Sequence, residues 1–169
     1  LTLCFVALSS YSAQAETFYV DDDCSGSGDG TQADPYCKIQ DGIDEASSGD
    51  TVEVAAGTYY ENITMKSGVV IQGAGQGVSI IVGGGTTDVV TASYIDSSAT
   101  INGFTITSGD ETSLTGMLLD QASPTVTNCT FSGNKNGGMY NYWSSPTVTD
   151  CTFSGNSRGQ GGGIYNYFQ

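Results

Sequence analysis

The chain has 169 residues and a formal net charge of −14, from 18 acidic and four cationic side chains, with no histidine. A surface of this sign repels phosphate backbones and anionic headgroups, so we expect no nucleic-acid partner and no acidic membrane partner. The lack of histidine excludes a histidine general acid or base within these residues.

Residues 1–15, LTLCFVALSSYSAQA, are apolar and small and end in an Ala-Gln-Ala pattern. This pattern is typical of a secretory signal peptide, whereas the run is too short and too rich in serine for a transmembrane helix. We therefore predict a signal-peptide remnant cleaved after Ala15, no membrane insertion, and a secreted or cell-surface protein. The sequence lacks an initiator methionine and ends within a repeat, so we expect a fragment truncated at both ends.

Residues 16–50 are predicted to hold a strand, an acidic loop and one helix. TFYV at 17–20 is β-prone, and YCKIQDGIDEA places Ile39, Ile43 and Ala46 at helical spacing, which predicts a helix over 36–47. Between them, Cys24 and Cys37 bracket a loop rich in glycine, serine and aspartate. In an oxidising compartment they are expected to form a disulfide, and the alternative is two small residues that never bond.

The loop around this cysteine pair is strongly acidic. Carboxylate oxygens on a flexible loop are the ligands that Ca²⁺ takes, although the spacing matches no EF-hand. The alternative is a solvated acidic loop. The possible calcium ligands are Asp21, Asp22, Asp23, Asp29 and Asp34.

Residues 51–169 consist of short β-rich segments joined by Gly, Ser, Asn and Asp. SPTVTNCTFSGN at 123–134 returns as SPTVTDCTFSGN at 145–156, and SATINGFTITSG at 98–109 aligns with both without a gap. A period of about 22 to 25 residues predicts a solenoid whose coils stack about 4.8 Å apart as parallel sheets. The predicted fold is all-β, a right-handed single-stranded parallel β-helix of about five or six coils, with the helix over 36–47 capping the first coil.

Stacking of like residues follows from this repeat, because equivalent positions of successive coils lie on top of one another. Asparagine tolerates left-handed backbone geometry, so its predicted ladder lies at a turn. The predicted core stacks are Val126 over Val148, Cys129 over Cys151, and Phe131 over Phe153. The predicted amide ladder is Asn134 over Asn156.

Two aromatic blocks, MYNYW at 139–143 and IYNYF at 164–168, also lie one repeat apart. Strand alternation would send Met139, Asn141 and Trp143 to one face, which we expect to be the inward face. An outward aromatic ladder suits sugar or protein contacts, and the alternative is stabilisation between coils without a ligand. The predicted ladder is Tyr140 over Tyr165 and Tyr142 over Tyr167.

Candidate catalytic groups are few. Lys135 and Arg158 occupy similar turns of two repeats, and we interpret both as solvated turn residues. Two carboxylates, such as Asp120 and Asp150, could serve a hydrolase, but nothing in their spacing singles them out. We therefore predict no catalytic residue in this stretch.

Short motifs in the first part follow one another in a fixed order. They are Gly30-Thr31, Pro35-Tyr36, Ile39-Gln40, Gly49-Asp50-Thr51 and Gly57-Thr58-Tyr59. This order resembles the N-terminal cap and first coil of secreted bacterial β-helix proteins with the pectin-lyase-like fold. The later Phe-x-x-Asn elements at 131–134 and 153–156, with the Gly-Gly pair at 162–163, resemble the repeats of polymorphic outer-membrane proteins.

The resemblance implies the fold more strongly than the function, because this fold hosts lyases, hydrolases, epimerases, adhesins and tailspikes. We predict a secreted or cell-surface module with a structural or binding role, adhesin-like or in contact with carbohydrate. Its partner would be a polysaccharide or a cell-surface protein, and calcium is the one possible cofactor. The alternative is the N-terminal part of a carbohydrate-active enzyme of the pectate-lyase-like type.

Overall fold

A computed structural model of the chain describes residues 14–84, 87–109, 114–159 and 162–168. Most of the predicted signal peptide, residues 1–13, lies outside this part. The elements in chain order are β1 (Thr17–Val20), α1 (Ile39–Glu45), β2 (Thr51–Val54), β3 (Gly57–Tyr60), β4 (Ile63–Thr64), β5 (Val70–Gly73), β6 (Ser79–Val82), β7 (Val90–Ser93), β8 (Thr100–Asn102), β9 (Phe104–Thr107), β10 (Met117–Asp120), β11 (Thr125–Thr127), β12 (Thr130–Ser132), β13 (Met139–Tyr142), β14 (Thr147–Thr149), β15 (Thr152–Ser154) and β16 (Ile164–Tyr167).

The strands form three parallel sheets that run along one axis. The first sheet has the order β1-β2-β5-β8-β11-β14, the second β3-β6-β9-β12-β15, and the third β4-β7-β10-β13-β16. Three consecutive strands, such as β2, β3 and β4, therefore make one coil with one strand in each sheet. Four complete turns lead from β2 to β14, and β14, β15 and β16 form the last set. The predicted parallel β-helix is confirmed.

The register between coils agrees with the repeat seen in the sequence. Thr105 pairs with Thr130 and Thr130 with Thr152, so the offsets are 25 and 22 residues. Ile101 likewise pairs with Val126. A register of this kind stacks each inward side chain on its equivalent in the next coil, because side chains alternate between the two faces of a strand.

The core is a set of three apolar columns, one behind each sheet. Each of the twelve side chains that follow is at most 2 % exposed. They are Val52, Ile71, Ile101 and Val126 in the first sheet, Tyr59, Ile81, Ile106 and Phe131 in the second, and Ile63, Val90, Met117 and Met139 in the third. Burial of branched and aromatic side chains, each worth about 1.5–3 kcal/mol, is what holds the coils together.

Helix α1 covers the core beside the first coil, as expected, but it is shorter than the predicted 36–47. Tyr36 forms a parallel bridge with Val20, which holds its backbone extended, and Ala46 is also extended. The helix buries Ile39, Gly42 and Ile43 against the core. A Cβ on Gly42 would lie 2.9 Å from a Val52 methyl carbon, so glycine permits this close approach.

The first turn of α1 takes its cap from outside the helix. The residue that precedes it, Lys38, makes no capping hydrogen bond with its side chain. Instead, the Glu61 carboxylate accepts hydrogen bonds from the backbone amides of Ile39 and Gln40, at 2.8 and 3.1 Å. A carboxylate at this position satisfies two of the amides that have no partner within the helix.

The predicted disulfide between Cys24 and Cys37 is confirmed. Cys129 and Cys151 carry free thiols. Within the described ranges, no helix is long and apolar enough to cross a bilayer.

Candidate functional site

The corner between the first and second sheets is built on a column of left-handed residues. Gly103, Asn128 and Asp150 occupy equivalent positions in three successive coils, with φ values of 80°, 47° and 53°. Glycine, asparagine and aspartate are the residues that adopt this geometry most readily. We call this column the Asn128 corner.

A second left-handed column follows the third sheet. Tyr94, Gln121 and Trp143 each come directly after a strand of that sheet and have φ values of 55°, 50° and 49°. Large side chains rarely adopt positive φ, and such residues concentrate where a chain has a functional reason to hold them. We call this column the Trp143 corner.

The backbone makes the same hydrogen bond in both corners. The amides of Asn128 and Trp143 each donate to a carbonyl oxygen one coil further on, that of Thr149 at 3.1 Å and that of Tyr167 at 3.1 Å. The Gln121 amide does the same with Tyr142, at 2.9 Å. The two corners therefore differ in their side chains and not in their backbone.

Trp143 corrects the sequence analysis, which placed it on the inward face. Its strand ends at Tyr142, and its left-handed backbone turns the indole outward, where it is 48 % exposed. Tyr94 is 73 % exposed in the same column, and Phe168, which follows β16 in the same way, is 61 % exposed. Alternation predicts side-chain direction only while a strand continues, so it misses these residues.

The predicted tyrosine ladder lies beside this corner, on the outer face of β13 and β16. Tyr140 and Tyr165 stack with ring centroids 5.3 Å apart, and Tyr142 and Tyr167 with centroids 5.5 Å apart. Trp143 meets the Tyr142 ring edge-on at 6.4 Å. The ladder and the corner form one surface, the aromatic face, whose members are Tyr94, Tyr140, Tyr142, Trp143, Tyr165, Tyr167 and Phe168.

Arg158 packs against one side of the aromatic face. Its guanidinium carbon lies 4.5 Å from the ring centroids of both Tyr140 and Tyr165, which is cation–π geometry. The expectation of a solvated turn residue is therefore wrong for Arg158. Arg158 is also not at the position equivalent to Lys135. That position is held by Ser157, whose backbone amide donates to the carbonyl oxygen of Asn134, the residue just before Lys135.

A shallow depression of about 360 Å³ opens between Gln121, Tyr142 and Trp143. The Gln121 side-chain amide donates to the Tyr94 hydroxyl oxygen at 3.1 Å, which connects two adjacent coils of the Trp143 corner. The depression is thus lined by an indole, a phenol ring and an amide that can donate and accept hydrogen bonds. Such a surface suits a ligand that has both an apolar face and a polar rim.

The predicted core stacks lie on the inner side of the first and second sheets, on β11, β12, β14 and β15 and in the corner between them. Phe131 and Phe153 stack with centroids 4.9 Å apart and an interplanar angle of 4°. Val126, Cys129 and Phe131 are fully buried, whereas their partners in the next coil are half-buried. These partners are Val148, Cys151 and Phe153.

The predicted amide ladder places Asn134 beside Asn156. The Asn134 amide nitrogen donates to the Asn156 side-chain oxygen at 3.0 Å, and the Asn156 amide nitrogen donates to the Phe131 carbonyl oxygen at 2.9 Å. The expected left-handed geometry is not at these residues but one position earlier, at Gly133 and Gly155, with φ of 67° and 62°. Glycine takes the strained position, which leaves asparagine free to turn inward.

The acidic loop brings together three of the five possible calcium ligands. One carboxylate oxygen from each of Asp21, Asp22 and Asp23 lies within 4.8 Å of the others. Asp22 also accepts a hydrogen bond from the Thr58 amide at 2.8 Å. Asp29 instead bonds to the hydroxyl and amide of Thr31, which lowers the pKa of Asp29.

Asp34 is likewise outside this group of three, and its amide bonds to Thr31 within the loop. Calcium binding therefore stays a prediction.

The structure separates the two carboxylates that were considered for hydrolysis. Asp120 lies on β10 in the third sheet, while Asp150 lies in the Asn128 corner between the first and second sheets. They face different sides of the solenoid, so they do not form the facing pair that glycoside hydrolysis needs.

Comparison with known proteins gives a family without a known activity. A search of curated proteins finds no significant match. A family model described as a protein of unknown function, DUF1565, matches residues 63–167. The match covers all five strands of the third sheet and includes both corners. Because it spans more than half of the 169 residues, the chain belongs to the DUF1565 family.

Proposed function

We propose that this chain binds a neutral polysaccharide through the aromatic face, as an exported structural or adhesin-like module. The observation that carries the proposal is Trp143, a large aromatic residue that is held at a positive φ and projects 48 % of its surface into solvent. Left-handed geometry for a bulky residue is unfavourable by about 1–2 kcal/mol, and residues held in such geometry cluster at functional sites. We therefore expect the exposed indole to have a function.

The chemistry of the face favours a sugar as the ligand. A pyranose ring presents an apolar C–H surface that packs on an aromatic ring, and hydroxyl groups at its rim that form hydrogen bonds. The Trp143 indole and the Tyr142 ring supply the first kind of contact, and the Gln121 amide beside them supplies the second. A protein partner would need a larger apolar centre than this shallow depression offers.

The geometry of the solenoid favours a chain of sugars over a single one. Successive coils lie about 4.8 Å apart, which is close to the length of one pyranose. Tyr94, Gln121, Trp143 and Phe168 therefore offer contacts at regular intervals along one line. A polysaccharide that lies along the axis can meet several of them at once, which raises its affinity without any new contact type.

The charge of the chain favours a neutral sugar. A formal charge of −14 repels uronates and sulfated glycans at long range. The one cation at the aromatic face, among the residues described, is Arg158, and its guanidinium already packs on two tyrosine rings. Binding to a neutral polymer would change little with salt, because no ion pair needs to form.

The resemblance to secreted β-helix proteins supports the exported location, and so does the composition of residues 1–15. Export of the chain is therefore part of this proposal. An exported repeat module with an exposed binding face fits a role at a cell surface, where polysaccharides are the abundant polymers.

The proposal is tested with the full chain and a panel of insoluble neutral polysaccharides, among them cellulose, xylan, mannan and chitin, in a sedimentation assay. We expect one polymer or more to retain the protein at both low and high salt. Trp143→Ala should weaken this retention by about tenfold, since centrally placed aromatic residues dominate such contacts.

Tyr60→Ala is the matched control. Tyr60 is 81 % exposed but lies on β3 in the second sheet, away from the aromatic face. This variant should bind like the parent protein. Failure of every neutral polymer to retain the parent, or equal losses in the Trp143 and Tyr60 variants, would overturn the proposal.

A further inference from the structure

Cys129 and Cys151 occupy the same position in two adjacent coils. Each follows its first-sheet strand by two residues, and the strand pairs on both sides of them, β11 with β14 and β12 with β15, are in register. Neighbouring parallel strands lie about 4.8 Å apart, within the range of about 4.4–6.8 Å that separates the Cα atoms of a disulfide. The backbone therefore already places the two cysteines at bonding separation.

Their side chains also point the same way. The Cys129 thiol lies 3.1 Å from the Thr127 carbonyl oxygen, and the Cys151 thiol lies 3.3 Å from the equivalent oxygen of Thr149. Interaction between the two thiols raises the pKa of Cys129 and lowers the pKa of Cys151. Little movement is therefore needed to bring sulfur to sulfur.

The two thiols differ in access to solvent. Cys129 is fully buried, whereas Cys151 is half-buried. An oxidant can thus reach Cys151 first, and Cys129 lies beside it in the adjacent coil. This order of access is the arrangement of an attacking and a resolving cysteine.

We infer that Cys129 and Cys151 form a second disulfide, one that joins two adjacent coils, when the folded chain meets a disulfide oxidant. The Cys151 thiolate attacks one sulfur of the oxidant, R–S–S–R, forms a mixed disulfide and releases R–S⁻. The Cys129 thiolate then attacks the Cys151 sulfur and releases the second R–S⁻. The protein loses two electrons and two protons, and the oxidant takes them up as two R–SH.

The consequence of this bond differs from that of Cys24–Cys37. The latter closes a loop outside the solenoid, while Cys129–Cys151 ties the set β14, β15 and β16 to the coil before it. That last set carries Tyr165 and Tyr167, so the bond would also hold one half of the stacked tyrosine ladder in place. The inference is independent of which ligand the aromatic face binds.

The test uses the full chain, purified without reductant and incubated with oxidised glutathione. The protein is then denatured, alkylated and digested, and its peptides are analysed by mass spectrometry. We expect a peptide pair joined through Cys129 and Cys151 that has lost two hydrogens, with neither cysteine alkylated. The melting temperature should rise by about 5 °C or more on oxidation, because the bond closes a loop of some 22 residues.

The variants Cys129→Ala and Cys151→Ser test the two thiol–disulfide exchange steps separately. Without Cys129, glutathione should remain on Cys151 as a stable mixed disulfide. Without Cys151, the buried Cys129 should stay alkylatable after denaturation, and neither variant should gain thermal stability on oxidation. Alkylation of both cysteines in the oxidised parent, a persistent glutathione adduct on it, or a Cys151–Cys151 dimer would overturn the inference.

Discussion

The Asn128 corner and the Trp143 corner share one backbone geometry but hold opposite kinds of residue. In both, the φ values of the non-glycine residues fall between 47° and 55°, and an amide donates to a carbonyl oxygen one coil further on. The first corner uses Gly, Asn and Asp, which adopt this geometry readily. The second uses Tyr, Gln and Trp, which do not.

The difference separates a structural corner from one that displays side chains. In the Asn128 corner the side chains serve the stack, since the Asn128 amide nitrogen donates to the Asn102 side-chain oxygen at 2.9 Å. In the Trp143 corner the large rings point to solvent and form a continuous surface with the tyrosine ladder. Strain that local packing does not explain is a reason to suspect a binding role.

The largest effect is expected for Gly103→Ala in the Asn128 corner. Gly103 has a φ of 80°, and a Cβ there would lie 2.8 Å from the Gly73 carbonyl oxygen. Backbone strain and the close contact together should lower the free energy of unfolding by about 2–4 kcal/mol. Urea denaturation followed by circular dichroism measures this change.

Gly77→Ala is the matched control for Gly103→Ala, because its φ is 74° and a Cβ there would meet nothing within 4 Å. This variant carries the strain without the contact and should lose only about 1 kcal/mol. Equal losses in the two variants would show that the corner is not tightly packed, which would contradict its structural role.

The next largest loss of stability is expected when alanine replaces one residue of the Asn128 corner, and one residue of the Trp143 corner serves for comparison. Asn128→Ala removes both a residue suited to positive φ and the hydrogen bond to Asn102, and should lower the free energy of unfolding by about 1 kcal/mol. Gln121→Ala also loses an exposed side-chain hydrogen bond, the one to the Tyr94 hydroxyl, but it exchanges one residue poorly suited to positive φ for another. It should therefore change the free energy of unfolding by less than about 0.5 kcal/mol. If thermal and urea unfolding show equal losses for both, the two corners do not differ as argued.

The fold could be predicted from the sequence because the repeat shows which residues of successive coils pack on one another. Once SPTVTNCTFSGN is laid over its second copy, the register of β11 with β14 and of β12 with β15 follows directly. The alternation within MYNYW likewise predicts that Tyr140 and Tyr142 face outward. Equivalent positions must stack in a solenoid, so identity between copies becomes contact between coils.

The Trp143 corner could not be predicted in the same way. Tyr94, Gln121 and Trp143 are three different residue types, so no repeat marks them as equivalent, and alternation places Trp143 inward. What they share is a backbone dihedral, which a sequence signals only where Gly, Asn or Asp stands. The shorter helix has a similar cause, because the bridge between Tyr36 and Val20 joins segments far apart in the chain.

The smallest effect tests the strain at Trp143 directly, through the difference between two variants. Trp143→Asn and Trp143→Ala both lose the edge contact with the Tyr142 ring, but only asparagine is suited to a φ of 49°. We expect Trp143→Asn to be more stable than Trp143→Ala by about 0.5–1 kcal/mol in urea denaturation.

At Tyr140, which lies within strand β13, asparagine should give no such advantage over alanine, since it is a poor strand former. Equal stability of the two Trp143 variants would mean that the corner holds no strain. The expected result is a gain in stability for asparagine at Trp143 but not at Tyr140, with polysaccharide retention lost in both Trp143 variants. It would show that the exposed indole lowers the stability of this corner and is needed for binding.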